Sequence, residues 1–152
     1  PANLKDPAFL NELASFKADL QVVVAFRMLP ELVWNMPPMG TINLHGSLLP
    51  QYRGAAPINW ALINGEIETG VTTFKLKHAI DTGDILLQET IPLNDQMNAG
   101  DLHDAMMMTG ANLLVKTIQG LAAGMLAEKP QIAPTGTSLK MAPKIQIGRA
   151  HV

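Results

Sequence analysis

Cysteine occurs nowhere in the 152 residues. That absence rules out disulfides, thiolate chemistry and Cys-ligated zinc, and it fits a reducing, cytoplasmic setting. Long apolar runs are missing too: 47% of the chain is hydrophobic, yet no stretch approaches the roughly 18 uninterrupted apolar residues of a membrane span. The chain is therefore expected to be soluble, with no membrane partner. Positive charge is not in excess either. Eleven Lys and Arg stand against 13 Asp and Glu, a formal charge of -2, so the electrostatic footprint of a self-sufficient nucleic-acid binder is lacking. An RNA partner would have to be attracted mostly by other parts of a protein. No secretory leader and no initiator methionine head the sequence, and Pro1 runs almost at once into a helix start, as expected of a chain that begins in mid-protein. What is present is length and apolar content enough for one domain with a core.

Periodicity organises that domain. Asp6 is placed as an N-cap before Pro7, and Phe9, Leu13, Phe16 and Leu20 recur at helical spacing, which predicts a helix over 6–17. Leu20 to Phe26, "LQVVVAF", is a short β-branched run suited to a strand covered on both faces. Thr41 to His45, Gly70 to Lys77 and Asp84 to Ile91 read as further strands. Pro57 can open a helix running to Asn64 with Gly65 as its stop, and Asn98, with Asp101 three residues on, can cap a long one ending near Gly124. Strands alternating with helices predict an α/β architecture with a mostly parallel sheet. After Gly124 the sequence turns to Pro130, Pro134, Gly136 and Pro143 without periodicity, and reads as an exit segment or linker.

Chemistry concentrates in "INLHGSLLPQYRGAAPINW", Ile42 to Trp60. Alternation in a strand puts Asn43 and His45 on one face and Ile42 and Leu44 on the other, at the strand's carboxyl end, the edge where ligands bind in open α/β sheets. An amide beside an imidazole can polarise a carbonyl and stabilise the oxyanion formed on attack. Equally, both can satisfy backbone groups of the turn. Asp81, in "HAIDTGDILL", sits in a turn made by Thr82 and Gly83 and can present a carboxylate at the same edge, or simply form the turn. Asp-Thr-Gly is also the signature of aspartic proteases, but the chain has one such tripeptide and an α/β pattern, where that chemistry needs two copies on an all-β fold. Met106, Met107 and Met108 fall at a spacing that puts one or two of them in a core. His78 and His103 have no ligand cluster around them and no metal is expected. Trp34 and Trp60 read as packing residues, and Arg53 as either solvated or set to meet a phosphate.

Asn43, His45, the "SLLPQYRG" of Ser47 to Gly54 and the distant Asp81 together resemble the folate-dependent formyltransferase family, whose pattern is Asn-x-His, Ser-Leu-Leu-Pro-x-x-x-Gly and a later Asp. The likeness runs over roughly residues 1 to 145. Tyr52 to Thr72 and Ile80 to Leu86 are most similar to members acting on methionyl-tRNA. Glycinamide ribonucleotide formyltransferases usually lack the Arg-Gly-x-x-Pro continuation, whereas sugar-nucleotide formyltransferases can carry it, which makes an amino-sugar nucleotide the rival acceptor. The resemblance implies a Rossmann-like fold, 10-formyltetrahydrofolate as co-substrate and initiator methionyl-tRNA as acceptor. It further implies that Asn43 and protonated His45 stabilise the oxyanion while Asp81 keeps His45 charged and helps move the proton. Folate-binding positions carried over from the family are Arg27, Met28 and Leu29, the loop residues Ser47, Leu48, Leu49 and Pro50, and His78, Ala79 and Ile80. The family's first strands and a C-terminal β-barrel domain are not found in this sequence. Residues 1–125 are thus expected to be the later part of a catalytic domain and 126–152 an exit towards a further one, with no role assigned to Ile147 to Val152. On that view the chain by itself has little affinity for tRNA, and by itself it can also be an inactive folding or binding module, because missing strands leave a sheet edge exposed.

Overall fold

The computed structural model describes residues 3–24, 28–133, 136 and 138–146. Helix α1 (Pro7–Ser15) begins where expected: Asp6 accepts the amide of Ala8 at 2.8 Å, and Pro7 fills a first-turn position where a missing N–H has no partner to lose. Strand β1 (Gln21–Val24) is the described part of the apolar run. A single helical turn, α2 (Glu31–Trp34), precedes β2 (Thr41–His45), whose bounds are those read from the sequence. After the two-residue β3 (Arg53–Gly54), α3 (Pro57–Ile63) opens on its proline and ends at Asn64, before Gly65. Strands β4 (Glu68–Lys75) and β5 (Ile85–Pro92) form a hairpin, shifted by one or two residues from the expected spans. Helix α4 (Ala99–Ala122) starts in a reciprocal capping box: Asn98 accepts the amides of Gly100 and Asp101, and the Asp101 carboxylate accepts the Asn98 amide. Gly124, at φ +65, ends it in the left-handed region that a residue without Cβ enters freely. The last strand, β6 (Met141–Ala142), pairs with β3.

The α/β class is the one expected, and within it the described sheet is mixed. Its order is β1-β2-β4-β5, with β1 and β2 parallel and the β2–β4 and β4–β5 pairs antiparallel. The reason is the connections. The chain from His45 to Glu68 returns at the end of β2 where it left, without crossing the sheet, and the loop of residues 76–84 brings β5 back beside β4, so both steps reverse direction. On one face lies α4: Leu102, Met106 and Leu113 meet Val71 and Ile91, with Leu44, Ile58 and Leu87 packed around them. Each fully buried aliphatic side chain there contributes roughly 1.5–3 kcal/mol. Between helix and sheet the hydroxyls of Thr73 and Thr117 meet at 2.8 Å, so the two buried polar groups satisfy each other. Of the three consecutive methionines Met106 is buried, while Met107 and Met108 are exposed.

Two stretches depart from expectation. Val22 and Val24 are 42% and 53% exposed, not covered on both faces, because among the described residues β1 is an edge strand and α4 packs over β4 and β5 on that face. Beyond Gly124 the segment that reads as a linker is bound along the domain. Lys129 and Ile85 exchange backbone hydrogen bonds at 2.7 and 2.9 Å, Lys75 pairs with Glu128 at 2.6 Å, and the Trp60 indole donates to the Pro143 carbonyl at 2.8 Å. Most of these partners are backbone groups, which no residue pattern encodes. Ile147 to Val152 lie outside the described residues.

Candidate active site

The alternation of β2 sends Ile42 and Leu44 toward one face and Asn43 and His45 toward the other, opposite α4. His45 is buried and stands across from Thr72 of β4, and Asn43 across from the fully buried Phe74. The imidazole is fixed at both ends. Its Nε2 is 2.8 Å from the Tyr52 carbonyl, which only accepts, so that nitrogen carries a proton; its Nδ1 is 3.8 Å from the Asp81 carboxylate Oδ2.

Tyr52 holds its carbonyl there by adopting φ +58, a left-handed conformation that costs a non-glycine residue roughly 1–2 kcal/mol. Neighbouring bonds offset that cost. Its amide donates to Lys140 O at 2.7 Å, its hydroxyl donates to Glu66, and that hydroxyl accepts from Asn64 Nδ2 at 2.9 Å. Burial, with the hydrogen bond to anionic Glu66 adding to it, pushes the Tyr52 phenol up. The Glu66 carboxyl is held below its usual value chiefly by its bond from Lys140 and then by the Tyr52 hydroxyl. Upstream, the loop is pinned to the sheet. Thr72 Oγ1 donates to Ser47 O at 2.7 Å and accepts from Leu49 N at 3.2 Å, and Gln88 Nε2 donates to Leu49 O at 3.0 Å.

Asp81 arrives by a turn that doubles back. Leu76 N bonds Thr41 O at the start of β2, yet five residues later Asp81 reaches His45 at the strand's other end. Asp81 sits at φ +52, a region Asp tolerates better than most, and its Oδ2 accepts the Gly54 amide at 3.0 Å. Gly83 permits the reversal, since a Cβ there would fall 1.5 Å from Lys75 O.

Asn43, His45 and Asp81 open on one cavity of about 910 Å³, whose wall includes Met28, Leu29 and His78 to Ile80. Trp34 stands edge-on to His78, ring centroids 5.3 Å apart, on that wall. Asn43 Oδ1 is buried without a hydrogen-bond partner among the described residues. An unpaired buried amide oxygen beside a cavity is costly unless a ligand donor completes it. A donor amide, an imidazole proton and a carboxylate converging there can receive an oxyanion and pass a proton.

The structure thus brings together the three catalytic expectations and five of the folate-binding ones. Arg27 lies outside the described residues. Ser47, Leu48, Leu49 and Pro50 are not on the cavity wall: the bonds to Thr72 and Gln88 turn that loop toward the sheet, and the Ser47 hydroxyl donates to Gln51 O at 2.6 Å. Arg53 is half-buried, and part of its guanidinium is engaged: Nε and Nη2 donate to Gln131 at 3.0 and 2.7 Å. Sequence reasoning missed Gln131, Thr72 and Gln88; Gln131 directly follows Pro130 inside the aperiodic stretch, where no pattern distinguished it. No cluster of His, Cys, Asp or Glu able to hold a metal occurs among the described residues.

Comparison with known proteins gives four matches. The family model described as formyl transferase matches residues 1–118. A methionyl-tRNA formyltransferase of Azobacteroides pseudotrichonymphae is 58% identical over 147 residues, 95% of this chain and 45% of that protein, and the chain spans about half the length of the curated relatives it matches. Among solved structures, HypX of Aquifex aeolicus with tetrahydrofolic acid superposes with a TM-score of 0.76 over 93% of this chain and 24% of that one, at 23% identity, a likeness of fold. An N-formyltransferase of Helicobacter canadensis in complex with folinic acid and dTDP-3-aminofucose gives a TM-score of 0.63 at 30% identity, over 73% of this chain and 40% of that one.

Proposed function

The chain belongs to the formyl transferase family, and from that premise we propose that it serves the transfer of a formyl group from 10-formyltetrahydrofolate to the amino group of initiator methionyl-tRNA, in the cytoplasm, for translation initiation. One observation carries the chemistry: His45 is clasped between the Tyr52 carbonyl and Asp81, with Asn43 and its unpartnered Oδ1 beside it on the cavity. The acceptor is supported by the 58% identity to a methionyl-tRNA formyltransferase. The donor is supported by the tetrahydrofolic acid and folinic acid of the two related structures and by a cavity of about 910 Å³ with an orphaned amide oxygen at its edge.

In this reading the methionyl nitrogen forms a bond to the formyl carbon and the bond from that carbon to the folate nitrogen breaks. One proton leaves the amine and one joins the departing nitrogen. Asn43 turns its NH2 toward the formyl oxygen and donates to it as negative charge develops. His45, protonated at both nitrogens, adds its charge beside that oxygen, and Asp81 stabilises the imidazolium and takes part in the proton's passage. Met28, Leu29 and the backbone of His78 to Ile80 form the wall against which the pterin rests.

A formyl-transfer assay on the full-length protein tests this, with 10-formyltetrahydrofolate as donor and methionyl-tRNA and an amino-sugar nucleotide as competing acceptors. Formylmethionyl-tRNA is expected. Product on the sugar alone moves the acceptor while keeping the site, and no product on either overturns the assignment. Adding the chain by itself as a third sample asks whether its exposed β1 edge leaves it an inert module.

A further inference from the structure

Resting on that reading, we infer that Gln131 is a positioning residue for the transfer, joining the loop that bears Gly54 to the turn that bears Asp81 and so setting where the Asp81 carboxylate stands against His45. The amide of Gln131 is used at both ends. Its Oε1 accepts Nε and Nη2 of Arg53 at 3.0 and 2.7 Å, and its Nε2 donates to the carbonyls of Asp81 and Gly83, each at 2.8 Å. Arg53 adjoins Gly54, whose amide donates to Asp81 Oδ2 at 3.0 Å. These bonds close a ring that runs from Gln131 through Arg53 and Gly54 to the Asp81 side chain, and from the Asp81 carbonyl back to Gln131.

The ring holds Asp81 by its main chain and its carboxylate at once. That matters because Asp81 is at φ +52 in a turn that folds back along β2, a conformation that persists only where surrounding bonds over-determine it. The requirement for glutamine follows from the partners. A guanidinium fork needs an acceptor, and two carbonyls need two N–H donors; one planar amide offers both at opposite ends. Leucine would satisfy neither side. Glutamate would keep the acceptor for Arg53 but turn a second oxygen on two carbonyl oxygens. Lys129, two residues earlier, is itself bonded to Ile85, so the segment carrying Gln131 is anchored on the sheet and not merely draped over it.

The test uses the full-length protein with Gln131→Leu and Gln131→Glu, each alone and with Asp81→Asn. Displacing Asp81 by a fraction of the distance that matters in catalysis is expected to lower kcat on the order of tenfold to a hundredfold in the single variants, with KM for both substrates held within about twofold. Because the effect runs through Asp81, Gln131→Leu is expected to cost less than about twofold when Asp81→Asn is already present. An equal loss in both backgrounds, an unchanged kcat, or a rise in KM alone overturns the inference. Amide exchange at Gly54 is read in parallel without substrate: it should quicken in both variants while Leu87 in β5 stays protected. That second measurement separates the two ideas. If the wild-type protein formylates neither acceptor the functional reading fails, and unchanged exchange at Gly54 independently overturns the clip.

Discussion

His45 donates its Nε2 proton to the carbonyl of Tyr52 at 2.8 Å. A carbonyl has no proton to return, so the bond keeps a proton on Nε2 and leaves Nδ1 facing Asp81 at 3.8 Å. The ionisable neighbour of the imidazole is therefore chosen by a backbone group, and the Tyr52 side chain serves elsewhere.

Replacing Tyr52 with Phe should accordingly leave turnover within about twofold. It keeps the carbonyl and removes the hydroxyl bonds to Glu66 and Asn64, which is expected to lower stability by about 1 kcal/mol. Denaturant midpoints and kcat, measured on the same preparation, check it; a large loss of kcat would mean that the hydroxyl bonds also orient the carbonyl.

Asn43→Ala is expected to separate activity from stability in the opposite sense. An oxyanion donor is worth on the order of 10²–10³ in turnover, while deleting a buried amide oxygen that lacks a partner should leave unfolding unchanged or raise its midpoint. Lowered stability with intact turnover would return Asn43 to a structural part.

Glu66 links stability to pH. Its folded-state carboxyl lies below the usual 4.5, held there first by Lys140 and then by Tyr52. The stabilisation is therefore present above that usual value and is lost as pH falls through the lower folded one. Lys140, raised above 10.5 by its bond to Glu66, runs the other way: its part is present below 10.5 and is lost as pH rises through the folded value. Denaturant midpoints of wild type and Glu66→Gln should differ near neutrality and converge at acid pH. A gap that persists to the lowest pH would show the carboxylate's charge to be irrelevant.

Gly83→Ala should cost far more than Gly124→Ala. A Cβ on Gly83 meets the Lys75 carbonyl at 1.5 Å, so the turn must shift and carry Asp81 with it, whereas at Gly124 no atom lies within 4 Å and only the left-handed backbone resists. The expectation is a fall in kcat on the order of 10² with a loss of a few kcal/mol for Gly83→Ala, against about 1 kcal/mol and unchanged kcat for Gly124→Ala. Similar kcat values in the two variants would detach the Gly83 turn from the chemistry.

The chain alone should bind tRNA weakly. Its formal charge is -2, and four of its eleven Lys and Arg residues, Lys75, Lys77, Lys116 and Lys140, each lie against a carboxylate, which weakens the attraction that counterion release from a polyanion needs. Filter binding across a salt series measures it; tight, salt-sensitive retention would contradict the charge argument.

Local rules were enough for much of this molecule, because they depend on near neighbours in the chain. Asp6 and Asn98 cap helices through bonds two or three residues away, β2 alternates faces by the geometry of any strand, and so the sequence by itself determined that Asn43 and His45 share a face. The motif from Ser47 to Gly54 with Asp81 was legible for the same reason, as residue types in order. Tertiary structure alone decided what those residues face. Asp81 meets Gly54 across 27 positions and Gln131 across 50, by way of carbonyls and amides that every residue carries, and a left-handed Tyr52 aims one such carbonyl at His45. Backbone groups are chemically identical along the chain, so which of them becomes part of a site is determined only when folding brings distant segments together.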